Sequence, residues 1–268
     1  MGNQTGIGWT DKTWNPWYHC RKVSPGCANC YMFTKREALG YDPNVVTRSK
    51  TTFRDPLKWK DPAAIFTCSW SDFFIEEADA WRPEAWEIIR QTPRHVYQIL
   101  TKRIERVLEH LPWVAEGTPP WPHVWLGVSV ENQRYADERI PLLLQAPAAL
   151  RFLSCEPLLG PIDLRDVLSS EPVPIDWVIV GGQSGENYRH HVMDLAWLDQ
   201  IVADCQDALV PVFVKQDSHA RSSQQGRIPD DLWKIKQTPF NTCRVIVDKH
   251  PIVSDVGPDE PLARFEEL

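Results

Sequence analysis

The chain has no long apolar run. Nothing in its 268 residues approaches the roughly 20 consecutive apolar residues that a membrane helix needs, so no membrane partner is expected. The first residues, Met1-Gly2-Asn3-Gln4-Thr5-Gly6, lack the basic and apolar stretches of a secretion leader. The seven cysteines are odd in number and unevenly spaced, unlike a secreted disulfide scaffold, so a reducing cytoplasm is the expected setting. Gly181-Gly182-x-x-Gly185 is not the G-x-G-x-x-G dinucleotide fingerprint. Near the N-terminus three cysteines crowd together, and no fourth lies beside them.

That crowded window runs from Tyr18 to Tyr31 and holds Cys20, Cys27 and Cys30. Ser24-Pro25-Gly26 is a turn-forming run that can fold the chain back between the first two. Cys27 and Cys30 have the Cys-x-x-Cys spacing that lets two thiolates reach one metal or cluster. An iron–sulfur cluster with only three protein thiolates keeps one iron open for a substrate or cofactor.

The charge is uneven. Residues 1–60 carry ten Lys and Arg against four Asp and Glu, about +6 in a chain of net charge -7. The surplus flanks the cysteines (Lys12, Arg21, Lys22, Lys35, Arg36) and continues through Arg48, Lys50, Arg54, Lys58 and Lys60. It reads as a solvated face or as a cleft that draws a phosphate-bearing substrate.

A regular beat gives the fold. A strand over 9–14 leads into the cysteine loop, a helix over 34–39 ends at Gly40, and 41–62 reads as an irregular insertion. Apolar runs then recur at βα spacing: 64–68, 95–100, 124–128, 150–154, 177–180 and 210–214. Helical patterns lie between them, at 83–89, 104–111, 132–145 and 195–209. Apolar strands separated by helices indicate an α/β fold with a parallel sheet covered on both faces. About six to seven βα units predict a partial or full (β/α) barrel over 1–218; a doubly wound open sheet is the alternative. Residues 219–268 form a C-terminal extension on the same domain. In it Val245-Ile246-Val247 could add a strand, and the acidic end at Glu266-Glu267 is expected to fray.

In such folds ligands sit at the carboxyl ends of the strands. Those ends carry Ser69 and Asp72, Lys102 and Arg103, Ser129 and Glu131, Cys155 and Glu156, Gly181-Gly182-Gln183, and Lys215. Asp72, Ser129 and Ser184 could each instead cap a helix. Six polar exits on one rim are harder to explain by capping. Cys68 and Cys155 lie in apolar strand runs and read as buried core residues, Cys155 nearer the rim, and Cys205 and Cys243 read as packing residues. Of the thirteen Trp, most read as packing, while Trp9, Trp14, Trp17 and Trp70 could wall the cavity.

Several motifs together carry a resemblance. They are Gly8-Trp9-Thr10-Asp11, Thr13-Trp14-Asn15-Pro16, the three cysteines, Leu100-Thr101-Lys102-Arg103, and Trp125 to Glu131. Ser154-Cys155-Glu156-Pro157-Leu158, Val178 to Gly182 with Ser184-Gly185, and Val214-Lys215-Gln216 complete the set. In this order they resemble a three-Cys-motif, radical-SAM-like family of bacteriophages and bacteria. The resemblance implies a 4Fe-4S cluster on Cys20, Cys27 and Cys30, with S-adenosylmethionine (SAM) on its open iron. It implies an enzyme that makes a 5′-deoxyadenosyl radical, reduced by a donor such as flavodoxin or ferredoxin. On that architecture Ser69, Asp72, Ser129, Glu131, Gly181, Gly182 and Gln183 are expected to bind the cofactor. Lys102, Arg103, Glu156 and Lys215 are assigned to the substrate, and Cys155 to catalysis. A nucleic acid or nucleotide is the expected substrate. The spacing Cys-x6-Cys-x2-Cys departs from the usual Cys-x3-Cys-x2-Cys, and Asn29 stands where an aromatic is usual.

Two other readings stand beside it. One is a structural zinc site of the three cysteines with His19 or a distant residue, next to a nucleic-acid-binding face. His19 adjoins Cys20, which makes it hard for both to point at one ion. The other has no metal: the cysteines are buried and Glu131, Glu156, Lys102 and Asp72 do acid–base work.

Overall fold

A computed structural model describes residues 5–241 of the protein. The predicted strand at Val245-Ile246-Val247, Cys243 and the acidic end lie outside the described residues. Seven strands form one sheet: β1 (Lys12–Trp14), β4 (Ala64–Thr67), β5 (Val96–Thr101), β6 (Val124–Ser129), β7 (Leu150–Cys155), β8 (Trp177–Gly181) and β9 (Val212–Gln216). They lie in chain order and every adjacent pair is parallel. A doubly wound sheet needs a reversal of strand order; this sheet has none and curls into a half-barrel instead. The alternative of a doubly wound sheet is therefore corrected. Two further short strands, β2 (Trp17–Tyr18) and β3 (Thr47–Arg48), pair antiparallel beside the cysteine loop. The 41–62 stretch is thus less irregular than expected.

The helices are α1 (Tyr31–Ala38), α2 (Arg82–Arg90), α3 (Pro112–Glu116), α4 (Gln133–Gln145), α5 (Arg165–Leu168), α6 (Leu195–Asp207) and α7 (Asp230–Trp233). α1 starts three residues earlier than expected, directly after Cys30, and Gly40 follows it with φ +78. The helix predicted over 104–111 is absent. Two 3-10 turns, Ile104–Arg106 and Leu108–His110, stand there. Pro112 begins α3 and holds Leu111 extended, which stops a helix from running through.

Period-two alternation sorts the strand side chains into two layers. Val124, Leu126, Val128, Leu153, Val178, Val180, Val212 and Val214 join the core beneath the helices, with Ile140 of α4 and Leu198 and Ile201 of α6. Trp9, Trp125, Phe152, Trp177, Ile179 and Phe213 form a second cluster on the concave face. Trp9, just before β1, meets Phe66 of β4 at 4.7 Å and Trp177 of β8 at 5.8 Å between ring centroids. Only a curled sheet lets a residue beside the first strand touch the eighth. Gly127 makes room for this packing: a Cβ there would lie 2.5 Å from the Phe152 ring.

The described part of the C-terminal extension guards the open edge. Val214 N donates to Ile235 O at 3.0 Å and Gln237 N donates to Val212 O at 3.1 Å, so residues 235–237 cover β9. Among the described residues no helix is long and apolar enough to cross a membrane.

Candidate functional site

The cysteine loop lies against the carboxyl ends of the strands. Pro25–Cys27 forms one 3-10 turn, with Cys27 N donating to Ser24 O at 2.9 Å. Cys30 precedes the first turn of α1, where Phe33 N donates to its carbonyl at 3.1 Å. All three thiols are free; Cys27 is buried, Cys20 and Cys30 half-buried. Cys27 lies close enough to Cys20 and Cys30 for its charge to bear on both. Arg103 links the loop to β5. Its guanidinium donates to Cys20 Sγ at 3.7 Å and to Arg21 O at 2.9 Å, and lies 3.2 Å from Asp72 Oδ2. Burial first, then the Asp72 charge, push the Cys20 thiol up to about 12, with Arg103 pulling the other way. Burial also raises the Cys30 thiol, against nearby backbone donors and Lys102.

Glu131, just past β6, fastens the same loop. Its Oε1 accepts from Ser24 Oγ at 2.6 Å and from Lys102 Nζ, with Arg139 at 3.6 Å. Gly26 sits so close that a Cβ there would lie 2.6 Å from Oε1. The carboxylate is fully buried. Burial works against its charge, but Lys102, Ser24 and Arg139 outweigh it and hold the carboxyl below its usual range. A second carboxylate, Glu156, pairs with Lys215 Nζ at 2.6 Å through both oxygens. Lys102, Glu156 and Lys215 each keep between 16% and 19% of their side chains exposed, so the concave mouth is reachable from solvent.

Ser69 also joins the mouth: Tyr31 donates its hydroxyl to the Ser69 carbonyl and Asn15 Nδ2 donates to Ser69 Oγ at 3.1 Å. Asp72 is near the cysteines, yet its oxygens are taken. They accept from Thr101 Oγ1 at 2.7 Å and from the N–H groups of Lys102 and Phe74 at 2.9 Å each. It braces the turn that aims Lys102 and Arg103. Ser129 is buried at the end of β6. Asp72, Ser129 and Ser184 cap no helix; Asn132 and Asp194 supply the side-chain caps of α4 and α6.

Other expected members are placed differently. Cys155 follows inward Ser154, so its side chain joins the outer core, fully buried and near Cys205 of α6. Its assignment to catalysis at the rim is corrected on that ground. Gly181 and Gly182 approach the protein's own chain: a Cβ on Gly182 would meet Ser218 N at 2.4 Å, and one on Gly181 Gln216 Cγ at 3.2 Å. Gln183 donates to Asn187 O at 3.3 Å and its carbonyl accepts from His219 N. These three pack against residues 216–219 and their neighbours. The His19 ring is also spent. Arg36 Nε donates to its Nε2 at 2.8 Å, and its Nδ1 sits 2.5 Å from Val45 O. His19 is therefore removed from the zinc reading. Trp14 and Trp17 lie in the outer core and Trp9 at the far end, leaving Trp70, edge-on to Tyr31 at 5.7 Å.

Sequence reasoning named Ser24 and Gly26 only as turn residues and gave no site role to Asn15, Tyr31 or Arg139.

Among the described residues no three His, Cys, Asp or Glu side chains converge on one metal ion. A cubane spreads its sulfur ligands wider than a single ion does. Three free thiols on one loop, beside Arg103 and Lys102, suit a group with three thiolate ligands and a vacant fourth corner. A surface cavity of about 370 Å³, lined by Trp86, Arg90, His110 and Trp121, lies between α2 and α3 and includes none of these residues.

Fold and site define a partial parallel (β/α) barrel with a three-cysteine loop latched over its C-terminal mouth. A family model described as a protein of unknown function, DUF5131, matches residues 4–242, and the chain belongs to that family. No curated protein and no solved structure matches it.

Proposed function

We propose that the protein is a radical-SAM-type iron–sulfur enzyme that acts on a phosphorylated or nucleic-acid-related substrate. The observation that carries this reading is the latch: Glu131 and Arg103, from adjacent strand ends, hold a loop of three free thiols over the lumen. Cys20, Cys27 and Cys30 would hold a 4Fe-4S cluster, which supplies an electron to SAM and so a 5′-deoxyadenosyl radical. Cys20 and Cys30, whose thiols burial pushes up, would release their protons on metal uptake, and Arg103 would offset the charge of Cys20. Lys102, Lys215 and Glu156 line the approach and would bind the substrate through its charges. Curled strands and the aromatic cluster below would keep water from the inner end. An acidic electron donor such as flavodoxin or ferredoxin completes the reading.

Anaerobic reconstitution with iron and sulfide tests it. The expected product is brown, binds about four irons per chain, and gives a reduced paramagnetic signal that SAM alters. Replacing Cys20, Cys27 and Cys30 by Ala abolishes the colour and leaves the fold intact. A colourless protein that takes up zinc and no iron under the same conditions overturns the reading.

A further inference from the structure

We infer that the face formed by α1 and the cysteine loop binds single-stranded nucleic acid, seating unstacked bases on Tyr31, Trp70 and Tyr41. The inference deepens the nucleic-acid-related substrate of the preceding reading by giving it a surface and a strandedness.

Three observations meet on this face. First, exposed apolar side chains concentrate here. Among the described residues twelve large apolar residues are exposed, and five of them fall between 23 and 45: Val23, Tyr31, Leu39, Tyr41 and Val45. Tyr31 is anchored by its hydroxyl on the Ser69 carbonyl while the residue stays 38% exposed, so its ring is held in place and partly open to solvent. A rigid exposed ring loses little entropy when a base stacks on it.

Second, cations sit over these rings. Lys35 Nζ lies 5.6 Å from the Tyr31 centroid and 6.0 Å from that of Trp70. The next residue, Arg36, lies 4.0 Å from the Tyr41 ring and 5.5 Å from the Tyr18 ring. Each ring and its cation can meet the base and phosphate of one nucleotide.

Third, positive charge without a carboxylate partner gathers here. Of the ten basic residues in the first sixty, Arg21 and Lys58 pair with Glu77 and Asp55, Arg48 and Arg54 share Glu84, and Lys12, Lys50 and Lys60 have no ion pair among the described residues. Lys22, Lys35 and Arg36 have no carboxylate partner among the described residues. Lys22 donates to Ala28 O, and Arg36 to the ring of His19. Between residues 18 and 45 only Glu37 and Asp42 oppose them. A duplex hides its base faces and offers phosphates alone, so the rings select a single strand. The platform adjoins the mouth, because Tyr31 directly follows Cys30 and donates its hydroxyl to the carbonyl of Ser69, just past β4. A strand lying across it can therefore turn one base toward Lys102 and Lys215.

Fluorescence anisotropy with a short labelled oligodeoxynucleotide, single-stranded or annealed, tests this on the full-length reconstituted protein. Single strands are expected to bind more tightly than duplex. Three phosphate contacts predict a slope of log K against log salt of about -2, or roughly fifteenfold weaker binding from about 50 to about 200 mM salt. Tyr41→Ala should weaken binding about fivefold or more. Lys35→Glu should weaken it and flatten the slope. Both positions are exposed, and unchanged melting confirms that the variants fold. Absent binding at low salt, equal preference for duplex, or binding indifferent to both variants overturns the inference. So does a face that instead captures an acidic protein donor and no oligonucleotide. Iron content and SAM cleavage are scored separately. A protein that assembles its cluster but ignores oligonucleotides loses this inference alone, and one that binds strands without ever holding iron loses the enzyme reading alone.

Discussion

The two ends of the barrel are built from opposite materials. At the amino ends of the strands the lumen is filled by Trp9, Phe66, Trp125, Phe152, Trp177 and Phe213, packed ring against ring. At the carboxyl ends the same concave face carries Lys102 with Glu131 and Lys215 with Glu156. The strands are continuous, so a residue's step along a strand decides which material it supplies. The Lys215–Glu156 pair, partly open to water, contributes little stability, the buried charge of Glu131 is offset by the cost of desolvating it, and buried rings contribute much. The closed end therefore holds the fold, and the open end is free to carry chemistry. Changes at the two ends should separate stability from ligand capture.

The largest separation comes from Trp177→Ala. Trp177 is fully buried, touches Trp9 and Phe152, and donates Nε1 to Gln237 O at 3.0 Å. Losing it should cost about 3–5 kcal/mol, because a cavity replaces the ring. Thermal unfolding should shift down sharply, while iron uptake well below the new midpoint stays near that of the parent. Iron loss at temperatures where the variant is folded would show that the two ends are coupled.

Acid offers a milder way to weaken the closed end alone. His95 immediately precedes β5, is fully buried, and lies between the rings of Trp59 and Tyr97. Burial, and then the Arg94 charge, lower its pKa from 6.5 to about 4. The unfolded chain thus takes up this proton first. Stability from His95 is whole above about 6.5 and falls as pH drops from there to about 4, by about 3 kcal/mol in all. Glu131 at the mouth is held below its usual range and keeps its charge through most of that window. Urea midpoints at pH 7 and pH 4 measure the loss, and His95→Gln should remove this part of it. An unchanged pH dependence in that variant would place the acid sensitivity elsewhere.

The closed end was legible in the sequence and the open end only partly so. Apolar runs at βα spacing gave strand after strand, since β6 and β8 are buried along their whole length and need no partner to be recognised. The latch was not legible. Ser24 and Glu131 are 107 residues apart, and nothing local in either says that they meet. Cys155 was misplaced although alternation was available: Phe152 faces the lumen, so Ser154 and Glu156 do too, and Cys155 cannot. Gly181 and Gly182 read as room for a ligand because a missing side chain does not reveal what fills the space. Here the fill is the backbone and side chain of Ser218 and the side chain of Gln216. The 104–111 segment had helical periodicity, but Pro112 overrode it.

Gly26→Ala examines the open end with the smallest change, one methyl group. The added Cβ would stand 2.6 Å from Glu131 Oε1 and 2.7 Å from its Cδ. A free side chain would swing aside, but Ser24, Lys102 and Arg139 hold this one in place. The loop must then lift or the carboxylate must leave its partners, at about 1–3 kcal/mol. That cost falls on the loop, so global melting should move little while reconstituted iron content drops. Glu131→Ala also loosens the loop, since Ser24 and Lys102 lose their acceptor. In the double variant the methyl has nothing left to strike, so the combined loss of iron should be smaller than the sum of the two. Additive losses would mean that the loop is not seated on Glu131, and the contrast between a structural end and a working end would lose its best-defined contact.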